Sequence, residues 1–345
     1  MVPSFRSDAE RPPTLLSRAL RFGMVAACLS ACGPAWARDA DPPVSLRSGA
    51  WLGACDNRRD CAAYGFADDD SAVLLLHLPR GREPSGTLLL RFDRPDRAEG
   101  VRLQLGRRGA ALSLRALPGE AGLARAALDA SAVRTVLPWL HQSGRFFAVT
   151  QGRPSLRAVF RLSGASPVLD WIVRAQRRAV EPGPRIAASP GPAADVPDPM
   201  PPPAVASLPA VRACASQDSE QPGQGPSASS LSGRVVLWRI PCGSGNFSQD
   251  SLFVLDNGRT AALAAFPVPP QFPARAPGIL VNAELDGPDA LQAVEPSRGL
   301  DDCGDTRRYL WDGRRFVLER AQLMLACHGL AVEDWPVVYR AVTER

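Results

Sequence analysis

Asp301, Asp302, Asp305 and Asp312 form the most suggestive acidic cluster in the chain. Two carboxylates facing one substrate could divide general acid and general base work on a glycan or a peptide. Their neighbours favour another role. Gly304 and Gly313 adjoin them, and aspartates beside glycine cap tight turns by accepting local backbone N–H groups. Turn carboxylates are therefore the expectation, with an envelope hydrolase using Asp301, Asp302 and Asp305 as the alternative. Asp68-Asp69-Asp70 lacks the spacing and terminal glutamate of a calcium loop and reads as a solvated loop. His328 follows Cys327, but no G-x-S-x-G elbow accompanies it, so a turn histidine is expected. Trp311, Phe316 and Trp335 could line a ligand groove, although aromatics flanking hairpins more often fill the core. Arg174, Arg177 and Arg178 could grip an anionic polymer, or simply form the polar face of a helix. The sequence assigns no catalytic residue and no cofactor.

The cysteines offer a second chemistry. Cys55 and Cys61 have five residues between them, no C-x-x-C pair occurs, and His77, His141 and His328 are isolated. That spacing does not make a metal site. The even set Cys55, Cys61, Cys214, Cys242, Cys303 and Cys327 instead suggests three disulfides in an oxidising compartment. Many pairings are open. Joining nearest neighbours, Cys55 with Cys61, Cys214 with Cys242 and Cys303 with Cys327, keeps every bridge inside one expected domain and is the arrangement expected here.

An oxidising address is supported by residues 1–37. Arg6, Arg11, Arg18 and Arg21 precede a short apolar run from Phe22 to Ala31, and Ala35-Trp36-Ala37 then fits the signal-peptidase rule, with a cut before Arg38. Leu29-Ser30-Ala31-Cys32 also reads as a lipobox, which would tether a lipoprotein to the outer membrane at Cys32. The apolar run is about half the ~20 residues a spanning helix needs, so no transmembrane segment is expected in the mature chain. Removing the leader's four arginines and two acids from totals of 40 and 35 leaves a net charge of +3. So small a net charge gives no footprint for nucleic acid. A periplasmic protein that binds an envelope component or a protein partner is the expected class.

These residues must be positioned by mainly β structure with a few helices, an α+β class. Residues 181–208 are dense in Pro and Ala and read as a semi-rigid spacer. It would join a β-rich domain over 38–180 to another over 209–345. Strands are expected at 72–78, 87–92, 101–105, 112–116, 145–150 and 156–162, bounded by Gly, Pro and Asp. A helix over 131–142 places Val133, Val136, Leu137 and Leu140 on one face, with Pro138 inside it. A second opens at Ser166-Pro167, serine as N-cap and proline at the first helical position. Asp256-Asn257-Gly258 and Asp312-Gly313 predict two-residue hairpin turns.

Several landmarks form a recognisable set: Trp51 to Cys61 (WLGACDNRRDC), Leu162 to Trp171, Pro241-Cys242 with Asn246-Phe247, Arg298 to Gly304 (RGLDDCG), Tyr309 to Phe316, and Cys327-His328-Gly329 with Trp335-Pro336. They resemble an uncharacterised proteobacterial exported family, domain of unknown function 1176. The N-terminal part is also distantly similar to the invasion-associated locus B proteins. The first resemblance implies an exported, cysteine-containing protein and brings no catalytic residues with it. Asp301, where that family has glycine, and the arginine-rich helix after Ser163 depart from the pattern.

Overall fold

The computed structural model describes residues 44–91, 100–117, 123–151, 156–187, 200–215, 225–231, 235–244, 248–273, 275–299 and 302–344. The leader with Cys32 and both cleavage sites, residues 188–199 of the Pro/Ala-rich segment, and Asp301 lie outside this set. The architecture is mainly β with a few helices.

The first half builds one antiparallel sheet from β1 (Ser45–Ser48), β2 (Trp51–Cys55), β3 (Cys61–Phe66), β4 (Ala72–Leu78), β5 (Ser85–Arg91), β6 (Gly100–Leu105), β7 (Ala111–Leu117), β8 (Leu123–Leu128), β9 (Arg145–Gln151) and β10 (Arg157–Arg161). Their order is β1-β2-β3-β4-β5-β8-β7-β6-β9-β10. The sheet curls until its last strand returns to its start. There the Trp51 indole N–H donates to the Arg161 carbonyl at 2.7 Å, and the Asp68 N–H to the Val159 carbonyl at 2.9 Å. Helices α1 (Ala130–Leu140) and α2 (Ala165–Gln176) contribute Val133, Val136, Val168 and Ile172 to the core that this curl encloses. α1 is capped by Asp129, whose carboxylate accepts the Ala132 N–H at 2.8 Å.

α2 starts before the expected serine cap. Its N-cap is Gly164 at φ +102°, where a Cβ would lie 2.1 Å from the Ser48 carbonyl oxygen; only glycine fits both the backbone and the space. Ser166 is inside the helix, and its hydroxyl meets His141 Nδ1 at 2.9 Å.

Residues 181–208 pack against the rest of the protein at both described ends. β11 (Arg185–Ala187) pairs in parallel with the last strand, Val342–Glu344, and buries Ile186. At the other end Pro203 opens α3 (Pro203–Ala206), which buries Val205 and leads into α4 (Pro209–Ala215). Each apolar residue gains more from a core than a solvated spacer would allow.

The second half forms two sheets. One is β12 (Ser227–Leu231), β13 (Val235–Ser244), β14 (Gln249–Asp256) and β15 (Ala261–Leu263), with β16 (Ile279–Val281) also on β14. The other is β17 (Ala283–Leu285), β18 (Ala290–Pro296), β19 (Gly304–Trp311), β20 (Phe316–Met324) and β21 (Val337–Arg340). Leu237 and Phe253 of the first meet Tyr309, Trp311 and Leu318 of the second in one core. Both hairpins are present, but each loop has four residues, pairing Asp256 with Ala261 and Trp311 with Phe316. Asn257 Oδ1 accepts from the N–H groups of Arg259 and Thr260, and Asp312 Oδ1 from those of Arg314 and Arg315. These side chains stabilise the longer loop, in which Gly258 and Gly313 supply the positive φ.

β4 explains how the halves join. Its residues Ala72 to Leu76 are buried without alternation, as expected of a strand covered on both faces. Leu74 and Leu76 face the enclosed core, while Val73 and Leu75 pack with Met324, Ala326, Leu330 and Trp335 from the second half. The three large sheets each keep to one half, whereas this hydrophobic layer spans both, and residues 43–345 form one compact unit. Among the described residues, no helix is long and apolar enough to cross a membrane.

Candidate functional site

The three cysteine pairs are Cys55–Cys61, Cys214–Cys242 and Cys303–Cys327. They close the β2–β3 turn, fasten α4 to β13, and tie the start of β19 to the segment after β20. Asp302 lies within 4.8 Å of the last pair, but disulfide sulfurs are not thiolates and cannot serve as metal ligands of the usual kind.

The described members of the acidic cluster, Asp302, Asp305 and Asp312, take separate partners. Asp302 accepts Arg298 Nε at 2.8 Å on one oxygen and the Gly329 N–H at 2.8 Å on the other, with a second Arg298 nitrogen completing the fork. The Arg298 hydrogen bond holds its carboxyl below the usual carboxylate range. Asp305 is buried on β19, where it accepts Arg307 Nε at 2.6 Å. Burial pushes its pKa up against the pull of that arginine. Arg307 also reaches Glu295 at 2.9 Å, and Glu295 takes Arg275. Asp312 caps its hairpin. The two buried aspartates are thus partnered by different arginines.

The Asp302 fork makes a pH prediction. A depressed carboxylate stabilises the fold above its ordinary 3.8 and loses that contribution as pH falls through the lower folded value. Asp302→Asn should therefore show a smaller loss of unfolding free energy than the wild type on acidification below 3.8, read by urea titrations at several pH values. Asp305 acts with the opposite sign, because its raised pKa favours the fold as acid is added. Parallel acid curves for the two proteins would show that the fork contributes nothing.

The other sequence candidates also have definite places. His328 Nδ1 lies 2.5 Å from Asp70 Oδ1, and its ring stacks on Phe66 at 4.1 Å between centroids. Asp68 pairs with Arg161, and Asp69 accepts the Ser71 hydroxyl. Arg174, Arg177 and Arg178 lie exposed at the end of α2. Trp311, Phe316 and Trp335 are all buried.

Phe316 nevertheless borders an open space that the sequence did not reveal. After β15 the chain reads Ala264-Ala265-Phe266-Pro267-Val268-Pro269-Pro270; its prolines cannot donate to a ladder, so the strand ends and the segment crosses the face of β20 as a strap. Phe266 anchors it, with ring centroids 5.1 Å from Tyr309, 5.2 Å from Phe316 and 5.7 Å from Phe253. Beside the strap lies a groove of about 500 Å³, lined by Pro184, Phe266, Val268, Phe316, Leu318 and Tyr339 among others. Among the described residues, the one charged side chain in its lining is Arg315, whose guanidinium is 3.7 Å from Asp312 and largely exposed. A run of apolar residues broken by prolines between two hairpins was the available signal.

A second space lies between the halves. It measures about 150 Å³ and is polar, with Asp56, Tyr64, His77, Arg320, Glu333 and Asp334 among its lining. Tyr64 donates to the Asp334 carbonyl at 3.0 Å, and burial raises its pKa.

A family model described as protein of unknown function (DUF1176) matches residues 49–342, and the chain belongs to that family. Among solved structures, the chain is similar to that described as "Crystal structure of invasion associated protein b from bartonella henselae". The match is 16% identical, covers 39% of this chain and 100% of that one, and has a TM-score of 0.31. No curated protein matches the chain.

Proposed function

We propose that this protein is exported and acts in the envelope as a binding protein. Its groove beside the proline strap receives an amphiphile with an apolar body and an anionic head. The groove carries the reading. Its volume of about 500 Å³ lies within the roughly 300–1,000 Å³ of small-molecule sites, which are mostly apolar with a few placed polar groups. Phe266, Phe316, Val268 and Leu318 supply the apolar wall, and Arg315 supplies the positive charge at its border. Three disulfides agree with an oxidising compartment. Residues 1–37 support export, with release at Arg38 or tethering at Cys32.

The test is a fluorescence titration with the apolar probe N-phenyl-1-naphthylamine, followed by displacement with dodecanoate or dodecanol. The wild type should bind the probe and release it to both. Val317→Arg places a guanidinium in the groove and should abolish uptake. Arg315→Gln should weaken dodecanoate by about tenfold, one lost charge-assisted contact, and leave dodecanol unchanged. Equal probe binding by wild type and Val317→Arg would overturn the reading.

A further inference from the structure

The polar cleft between the halves is a separate matter, independent of the groove. Its charges are almost all matched. Asp56 takes Arg340 at 3.1 Å and the backbone N–H groups of Arg58 and Asp60. Asp60 takes Arg82 and the Arg80 N–H, and Asp334 takes both terminal nitrogens of Arg125 at 3.1 and 2.9 Å. Two of the charged lining groups have no such partner among the described residues, and the His77 imidazole, which burial presses toward its neutral form, has none either. One of the two is Arg320, whose buried Nε has no hydrogen-bond acceptor. The other is Glu333, exposed at the edge of the same space.

Arg320 is held there by the sheet. It faces Arg340 directly across β20 and β21, a like-charge pair that destabilises when nothing intervenes. Asp56 neutralises Arg340 alone. Burial first, and Arg340 second, press the Arg320 pKa downward. An anion arriving at this guanidinium would relieve an existing cost.

We propose that this cleft binds a small zwitterion with the chemistry of a free amino acid, its carboxylate on Arg320 and its ammonium toward Glu333. A volume of about 150 Å³ is too small for a drug-sized ligand and brings the lining groups within reach of one small molecule. A planar guanidinium is matched to a carboxylate, since its fork can donate two parallel hydrogen bonds. A simple anion would meet the uncompensated Glu333 charge at the edge, whereas a zwitterion satisfies both groups.

Isothermal titration calorimetry of the purified protein tests this with glycine, L-alanine, L-leucine and L-glutamate, beside acetate and methylamine as half-ligands. At least one amino acid should bind, with acetate and methylamine each weaker by about tenfold or more. Arg320→Gln should lose amino-acid binding by a similar factor. Glu333→Gln should remove the preference over acetate, and Arg320→Lys should restore part of the affinity. Thermal unfolding of each variant identifies any that fails to fold, and the wild-type panel stands without them. No heat from any amino acid, or acetate binding as well as its amino acid, would overturn the proposal. Val317→Arg in the groove should leave these titrations unchanged, so the two sites fail separately.

Discussion

Arg307→Leu should lower the unfolding free energy by about 3–5 kcal/mol at neutral pH, the loss typical of breaking one side of a buried ion pair. The Arg307 and Asp305 side chains are 3% and 7% exposed, so solvent cannot replace the missing partner. Glu295 retains Arg275, which leaves Asp305 as the uncompensated charge. The Phe272 ring also loses the guanidinium 5.4 Å from its centre. Since burial already raises the Asp305 pKa, the variant should recover part of the loss on mild acidification, as protonation removes the stranded charge. Adding Asp305→Leu should recover most of it at neutral pH, because apolar replacement of a whole buried pair is often neutral or stabilising. Guanidinium titrations of the single and double variants check this. A single variant within about 1 kcal/mol of wild type, on the scale of an ordinary surface substitution, would show that the pair is not sealed from water.

Removing the Cys303–Cys327 bridge should cost about 3 kcal/mol by loosening a long loop in the unfolded chain. The expected damage is also local. Cys303 is fully buried in the layer joining the halves, and the segment after Cys327 carries three contacts that fix it. His328 meets Asp70, the Gly329 N–H donates to Asp302, and the Gly329 carbonyl accepts Arg91 at 2.7 Å. Cys303→Ala/Cys327→Ala should therefore lose hydrogen-exchange protection first in β3–β5 and after β20. Cys55→Ala/Cys61→Ala, which opens a loop with a sequence separation of only 6, should cost less. Equal losses for the two double variants, with protection unchanged between the halves, would contradict this account.

How much was legible in the sequence depended on how local the determinant was. β6 shows on one side Val101 and Leu103, buried, with Arg102 exposed, and the alternation alone located it. The helix over residues 130–140 was legible from the spacing of Val133, Val136 and Leu140. α2 was found with its start misplaced, because its cap is set by the Ser48 carbonyl packed against Gly164, a contact between residues far apart in sequence. Both hairpins were visible, but their loops are longer than Asn-Gly and Asp-Gly suggest, since side-chain acceptors at Asn257 and Asp312 stabilise four residues as well as two. The acidic residues looked like a cluster because they are close in sequence. In the structure Asp302 takes Arg298, Asp305 takes Arg307 and Asp312 takes its own hairpin loop. The groove and the cleft were hidden for the converse reason: Pro184, Phe266, Phe316 and Tyr339 meet only after folding, as do His77, Arg320 and Glu333.

The binding claim is tested most directly by what the protein holds when it is purified from the cells that make it. An organic-solvent extract, analysed by mass spectrometry for the wild type and Val317→Arg side by side, should yield an anionic amphiphile from the wild type and none from the variant. The same compound in equal amount from both, or a wild type that is empty and takes up no added dodecanoate, would contradict the account.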